Sequence, residues 1–251
     1  MVGPTLDAAA RNFSRAGGRS QGLLGAVLLT QAAHERVFET LAAVRSVDGW
    51  AFASVPEEPE TLIAHRDASA VAIVCGRQVR AADGLEVLAL GTLDTFPEGM
   101  PLLDAMAAVR ASGALTVMPW GFGKWLGERG RRVEAALQSL GPEVVFVGDN
   151  GSRLAWLGVP SLVRESAQRG FRVLPGTDPF PLAGGHRQVG GFGFLAELEP
   201  PESAPWRGLR AWLLARKVSP PAYGSATGPI RFVFNQVGIQ FYNRAMKGRN
   251  G

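Results

Sequence analysis

Two carboxylates, Asp149 and Asp178, each follow a short apolar run and sit in a turn-forming cluster. The clusters read Gly148-Asp149-Asn150-Gly151-Ser152-Arg153 and Pro175-Gly176-Thr177-Asp178-Pro179. Carboxylates placed this way could hold one divalent metal, or work as an acid and a base. Around them stand groups suited to an anion: Arg77, Lys124, Arg153 and Arg187, with Gln78 and Asn150 as neutral partners and Trp120 as a pocket wall. A guanidinium grips a carboxylate or phosphate through two parallel hydrogen bonds, and an ammonium acts as a point charge. His186, inside the Gly-rich stretch Gly184–Gly193, is a candidate acid/base or lid residue, and His34 is a second candidate. The competing reading is structural. Asp-Asn-Gly and Thr-Asp-Pro also serve turns for backbone reasons, and the acids could simply pair with the bases.

These residues need a scaffold that brings strand ends together. Apolar runs at Val71–Val79, Leu115–Trp120, Val144–Asn150 and Phe171–Asp178 each end in a polar cluster, with helix-length stretches between them. That alternation predicts an α/β fold, a β/α barrel or an open sheet with ligands at the strand ends. Gly25–Leu29 reads as a buried strand, Glu35–Arg45 as a helix and Gly49–Val55 as a strand. Pro56-Glu57-Glu58-Pro59 reads as the entry of a helix through Arg66. Asp83-Gly84 predicts a hairpin between Ala70–Arg80 and Leu85–Leu90. Further helices are expected at Leu102–Ala111, Trp125–Leu140, Leu162–Gln168, Trp206–Lys217 and Ile230–Met246. The organisation expected is a flexible segment over 1–21, a barrel over 22–199, and a C-terminal helical extension over 200–251 packed on the barrel.

Composition sets the outer limits. Of the 251 residues 46% are hydrophobic and 19% charged, enough for a sizeable core and against global disorder. The net charge of +4 and the pI of about 9.8 come without any long Lys/Arg block, so a small anionic ligand explains them without nucleic acid. The single cysteine, Cys75, lies in an apolar run and reads as a buried thiol, which points to the cytoplasm. Gly22–Leu29 resembles a secretory h-region but starts late and reads better as a strand. No stretch is long enough for a transmembrane helix.

The order of elements over residues 22–195 resembles the PHP (polymerase and histidinol phosphatase) family of metal-dependent phosphoesterases. The likeness is carried by Val74–Val79 with Gly84–Gly91, by Gly113–Trp120 and by Val173–Asp178. It implies a distorted, TIM-like β/α barrel with a metal cluster at the strand ends. Most of the implied ligands are replaced, however. Thr30 and Gln31 stand near the expected His-x-His, Ala53-Ser54 at the Asp-His and Gln78 at the bridging Glu. Pro119-Trp120 replaces the His of the His-Pro strand, and Pro179-Phe180 follows Asp178 where a His is expected.

Gln and Thr cannot neutralise clustered divalent ions, so the expectation is a PHP-like domain without cofactor. It would bind an anionic, phosphorylated or sugar-linked ligand through Gln31, Arg77, Gln78, Trp120, Lys124, Asn150, Arg153 and Arg187. One alternative is a phosphoester hydrolase with one divalent metal on Asp149 and Asp178. Another is an interaction protein working through its basic C-terminal helix, Arg231–Arg249.

Overall fold

The computed structural model describes residues 1–17, 22–121, 125–151, 158–179, 184–198 and 204–224. Twelve strands and six helices are found among them. Sheet 1 contains β1 (Leu23–Leu28), β2 (Ser46–Val47), β3 (Trp50–Val55), β4 (Glu58–Arg66) and β5 (Ser69–Val74), in the order β1-β5-β4-β3-β2. Sheet 2 contains β6 (Gly76–Arg80), β7 (Glu86–Leu90), β8 (Leu115–Trp120), β9 (Val145–Asp149) and β10 (Val173–Pro175), in the order β10-β9-β8-β7-β6. A small antiparallel pair joins β11 (Phe192–Phe194) to β12 (Ala222–Gly224). The helices are α1 (Val2–Arg15), α2 (Val37–Ala43), α3 (Leu102–Ala111), α4 (Gly127–Leu140), α5 (Ser161–Gln168) and α6 (Pro205–Ala215).

The expected TIM-like barrel is not what forms. A β/α barrel needs parallel strands, each followed by a helix. Here β3, β4 and β5 pair antiparallel, as do β6, β7 and β8; only β1–β5, β8–β9 and β9–β10 are parallel. No pairing among the described residues closes β10 back onto β1. The misreading starts at Pro56-Glu57-Glu58-Pro59. Pro56-Glu57 is a hairpin turn, and Glu58–Arg66 is a strand with Leu62 and Ala64 buried and Ile63 and His65 facing outward. The other early correction is the N-terminus, where residues 2–15 form a helix that buries Leu6, Ala9 and Phe13. The expected terminal helix, Ile230–Met246, lies outside the described residues.

Cys75 joins the two sheets. Its N–H donates to the Glu60 carbonyl of β4 (2.7 Å), while its own carbonyl accepts from Gly91 (2.9 Å) and Thr92 (3.1 Å) beyond β7. One continuous strand thus changes partners at a single residue. Gly76, next along, is wedged between two backbones: an added Cβ would lie 2.3 Å from the Leu29 carbonyl oxygen and 2.6 Å from that of Ala89. Only glycine fits there.

Period-two alternation divides the core. In β8 and β9, Met118, Trp120, Val145 and Val147 face α3, α4 and α5. Leu115, Val117 and Phe146 face the other way, toward Trp206, Leu209 and Leu213 of α6. A separate cluster under α1 and α2 takes Trp50, Leu62, Val71 and Ile73. Helix α6 is fixed at both ends. Glu58 of sheet 1, 1% exposed, accepts from the N–H groups of Trp206 (3.0 Å) and Arg207 (2.7 Å). Arg172 donates to the carbonyls of Leu213 (3.2 Å) and Leu214 (3.4 Å), and to that of Pro142 (2.7 Å). A carboxylate at the N-terminus and a cation at the C-terminus satisfy orphan backbone groups and match the helix dipole. Among the described residues no helix is long and apolar enough to cross a membrane.

Candidate functional site

Strand register separates the expected site residues into two groups. Arg77 pairs with Ala89, Ala89 with Thr116 and Thr116 with Val145, which places Arg77 level with the beginnings of β8 and β9. Trp120, Asp149 and Pro175 form another row at the ends of β8, β9 and β10. Four residues separate the rows, about 13 Å along the strands, and Asp149 lies three strands over from Arg77. A single pocket uniting Arg77 and Gln78 with Asp149 and Asp178 does not form.

The second group is a turn network. Asp149 is 5% exposed and its Oδ1 accepts from the Gly151 N–H (3.0 Å). Asn150 Nδ2 donates to Asp178 Oδ2 (3.3 Å), and the Gly176 N–H donates to the Asp149 carbonyl (2.9 Å). Trp120, expected as a pocket wall, is packed into the core beneath α3 and α4. His186 and Arg187 belong to a short 3-10 turn whose described contacts are with α1: Asn12 Nδ2 donates to the carbonyls of Arg187 (3.2 Å) and Val189 (2.8 Å). His34 is exposed. Lys124 and Arg153 lie outside the described residues. Among the described residues no three His, Cys, Asp or Glu side chains converge to hold a metal ion.

The first group is the more unusual chemically. Arg77 is 3% exposed. Its Nε donates to the Asp94 carbonyl (3.1 Å), and its Nη2 to the Leu93 carbonyl (3.3 Å) and the Glu39 carboxylate. Nη1 is buried and has no partner, and neither has Oε2 of Glu39. Burial of a charged donor without a partner is costly, so this guanidinium is incompletely satisfied.

Gln31 sets the geometry. It bridges to Arg77 in a parallel register, donates its N–H to the Gly76 carbonyl (3.2 Å) and accepts from the Gln78 N–H (2.8 Å). Its side-chain oxygen also takes the Phe38 N–H (2.7 Å), which fixes the first turn of α2. Glu39 is the next residue, and so it comes to rest against Arg77. Burial pushes the Glu39 carboxyl up, but the hydrogen bond and charge of Arg77, helped by Gln31, outweigh this and hold it below its ordinary value.

Arg77, Gln78, Ala33, Val79, Thr95 and Phe96 line a cleft of about 20 Å³, room for one water molecule. Glu39 had no signal of its own in the sequence, where it reads as one polar position of an amphipathic helix. Its role appears only once β1 and β6 are aligned. Comparison of the chain with family models, with curated proteins and with solved structures finds no match.

Proposed function

We propose that this chain binds a small anion at Arg77, with Glu39 as the carboxylate that the anion replaces. The unpartnered buried Nη1 carries the reading: a two-oxygen anion would satisfy it together with Nη2 in the fork geometry a guanidinium favours. The cleft in its closed form accepts only water, so entry of an anion needs Glu39 to swing out. Glu39 sits on a helix of only seven residues, and its side chain is 38% exposed, so solvent can receive it. Gln78 and Thr95 supply neutral polar groups at the rim. The site's size favours a carboxylate or a phosphoryl group as the anchored part, with the remainder of the ligand in solvent. The PHP resemblance is compatible with this reading as a proposal of ancestry, since Gln78 would stand at a former metal position without metal chemistry.

The hydrolase alternative rests on Asp149 and Asp178. Their described partners are backbone and Asn150, and no third donor joins them among the described residues. This donor set does not fit a metal ion.

Phosphate, sulfate and acetate titrations followed by thermal melting test the proposal. At least one of them raises the Tm of the native protein in a saturable way and leaves Arg77→Met unmoved. Equal shifts in both proteins would mean a general salt effect, and no shift in either would leave the cleft to water.

A further inference from the structure

A second cavity lies beneath the N-terminal helix. It has a volume of about 190 Å³ and is enclosed by Leu6 and Ala9 of α1, Val27 of β1, Ile73 of β5 and Leu41 of α2, with Leu29 just beyond β1. Close-packed interiors contain few voids larger than a water molecule. Its lining offers a ligand no free polar group: the single hydroxyl, of Thr5, is already bonded to the Met1 carbonyl at 2.8 Å. Water would gain nothing by entering, because it needs at least two polar partners.

The packing explains why α1 does not settle onto the sheet. Polar fastenings hold it along its length. The Gly3 N–H donates to Asp48 Oδ2 (3.0 Å), and Asp7 takes both the Trp50 indole N–H (2.8 Å) and the Arg66 guanidinium (2.7 Å). Farther along, Asn12 holds the Val189 carbonyl (2.8 Å). At Gly3 a Cβ would lie 2.3 Å from the Cβ of Asp48, so the helix start is already at its closest approach. These fixed points suspend the helix over β1 and β5 and keep the space open. Val37 at the rim is 43% exposed and Met1 is 83% exposed, which leaves a route in from solvent past apolar groups.

We infer that this cavity binds a compact hydrocarbon group, a single aromatic ring or a short branched aliphatic group. Apolar cavities of about 150 Å³ take up benzene or xenon, and this one is of similar size. A helix or strand of a partner protein is far too large for it. The site is separate from the Arg77 cleft, although α2 borders both, turning Val37 and Leu41 to the cavity and Glu39 to Arg77.

Benzene is the probe, titrated into methyl-labelled protein and followed by NMR. Saturable one-to-one shifts are expected at Val27, Leu29, Leu41 and Ile73, weakened about tenfold or more in Ala9→Phe, whose ring fills the space. Arg77→Met keeps them, so failure of the anion site would leave this result standing. Should Ala9→Phe not fold, Val27→Phe serves as the filling variant. Absence of saturable shifts in folded native protein up to the solubility of benzene overturns the inference. So does a dimer, seen by light scattering, that buries these methyls and excludes benzene.

Discussion

Arg77 and Glu39 form an ion pair of unequal exposure: the guanidinium side chain is 4% exposed and the carboxylate 38%. Breaking the pair is therefore one-sided. Glu39 can leave into water at little cost, whereas Arg77 cannot be hydrated where it lies. Any small anion that reaches the cleft competes with a tethered carboxylate rather than with bulk solvent.

Acid should loosen that competition. Because the folded value of Glu39 lies below its ordinary 4.5, the pair's stabilisation is present above 4.5 and is lost as pH falls through the lower folded value. Sulfate remains charged over this range. Its binding should tighten as the pH drops below 4.5, and the trend should vanish in Glu39→Gln, measured by titration at a series of pH values.

Cys75 offers an independent check on the junction of the sheets. Burial pushes its thiol from 9.0 up to about 11. Native protein at pH 8 should react with a thiol reagent only as fast as it unfolds, and rapidly once denatured. The raised value also means that the Cys75 contribution to stability holds below pH 9 and declines as pH rises from 9 toward 11. Fast labelling of the folded protein would place Cys75 outside the core.

Helix α6 should depend on its two charged anchors. Glu58→Ala leaves the Trp206 and Arg207 N–H groups without their carboxylate and should cost about 1–3 kcal/mol in urea unfolding. Gly91→Ala acts on the same helix from beneath. Gly91 has φ +76°, and a Cβ there would fall 2.0 Å from the Trp206 indole, so a loss of about 1–3 kcal/mol is expected. Stability unchanged in both variants would contradict this packing.

What could be read from the sequence followed from how local each signal was. The spacing of Val37, Phe38 and Leu41 and of Leu102, Met106 and Val109 located α2 and α3, and Asp83-Gly84 located the β6–β7 hairpin. Glu58-Pro59 misled because a proline followed by acids suits a helix start, yet Pro56-Glu57 turns β3 into β4 and Glu58 goes on to cap α6. Arg77 was legible as a candidate from its residue type. Its partner was not, because Gln31, Glu39 and Arg77 meet only through the alignment of β1 with β6. Strand register is likewise a long-range property, and it is register that sets Arg77 a long way from Asp149.

Calorimetric titration of phosphate into three proteins, native, Glu39→Gln and Arg77→Met, tests the anion site most directly. Removing the tethered carboxylate should strengthen binding by about tenfold, or about 1.4 kcal/mol, while removing the guanidinium should abolish it. Binding that weakens in Glu39→Gln, or that survives in Arg77→Met, would show that Arg77 is a structural cation satisfied by Glu39 and that the anion site lies elsewhere.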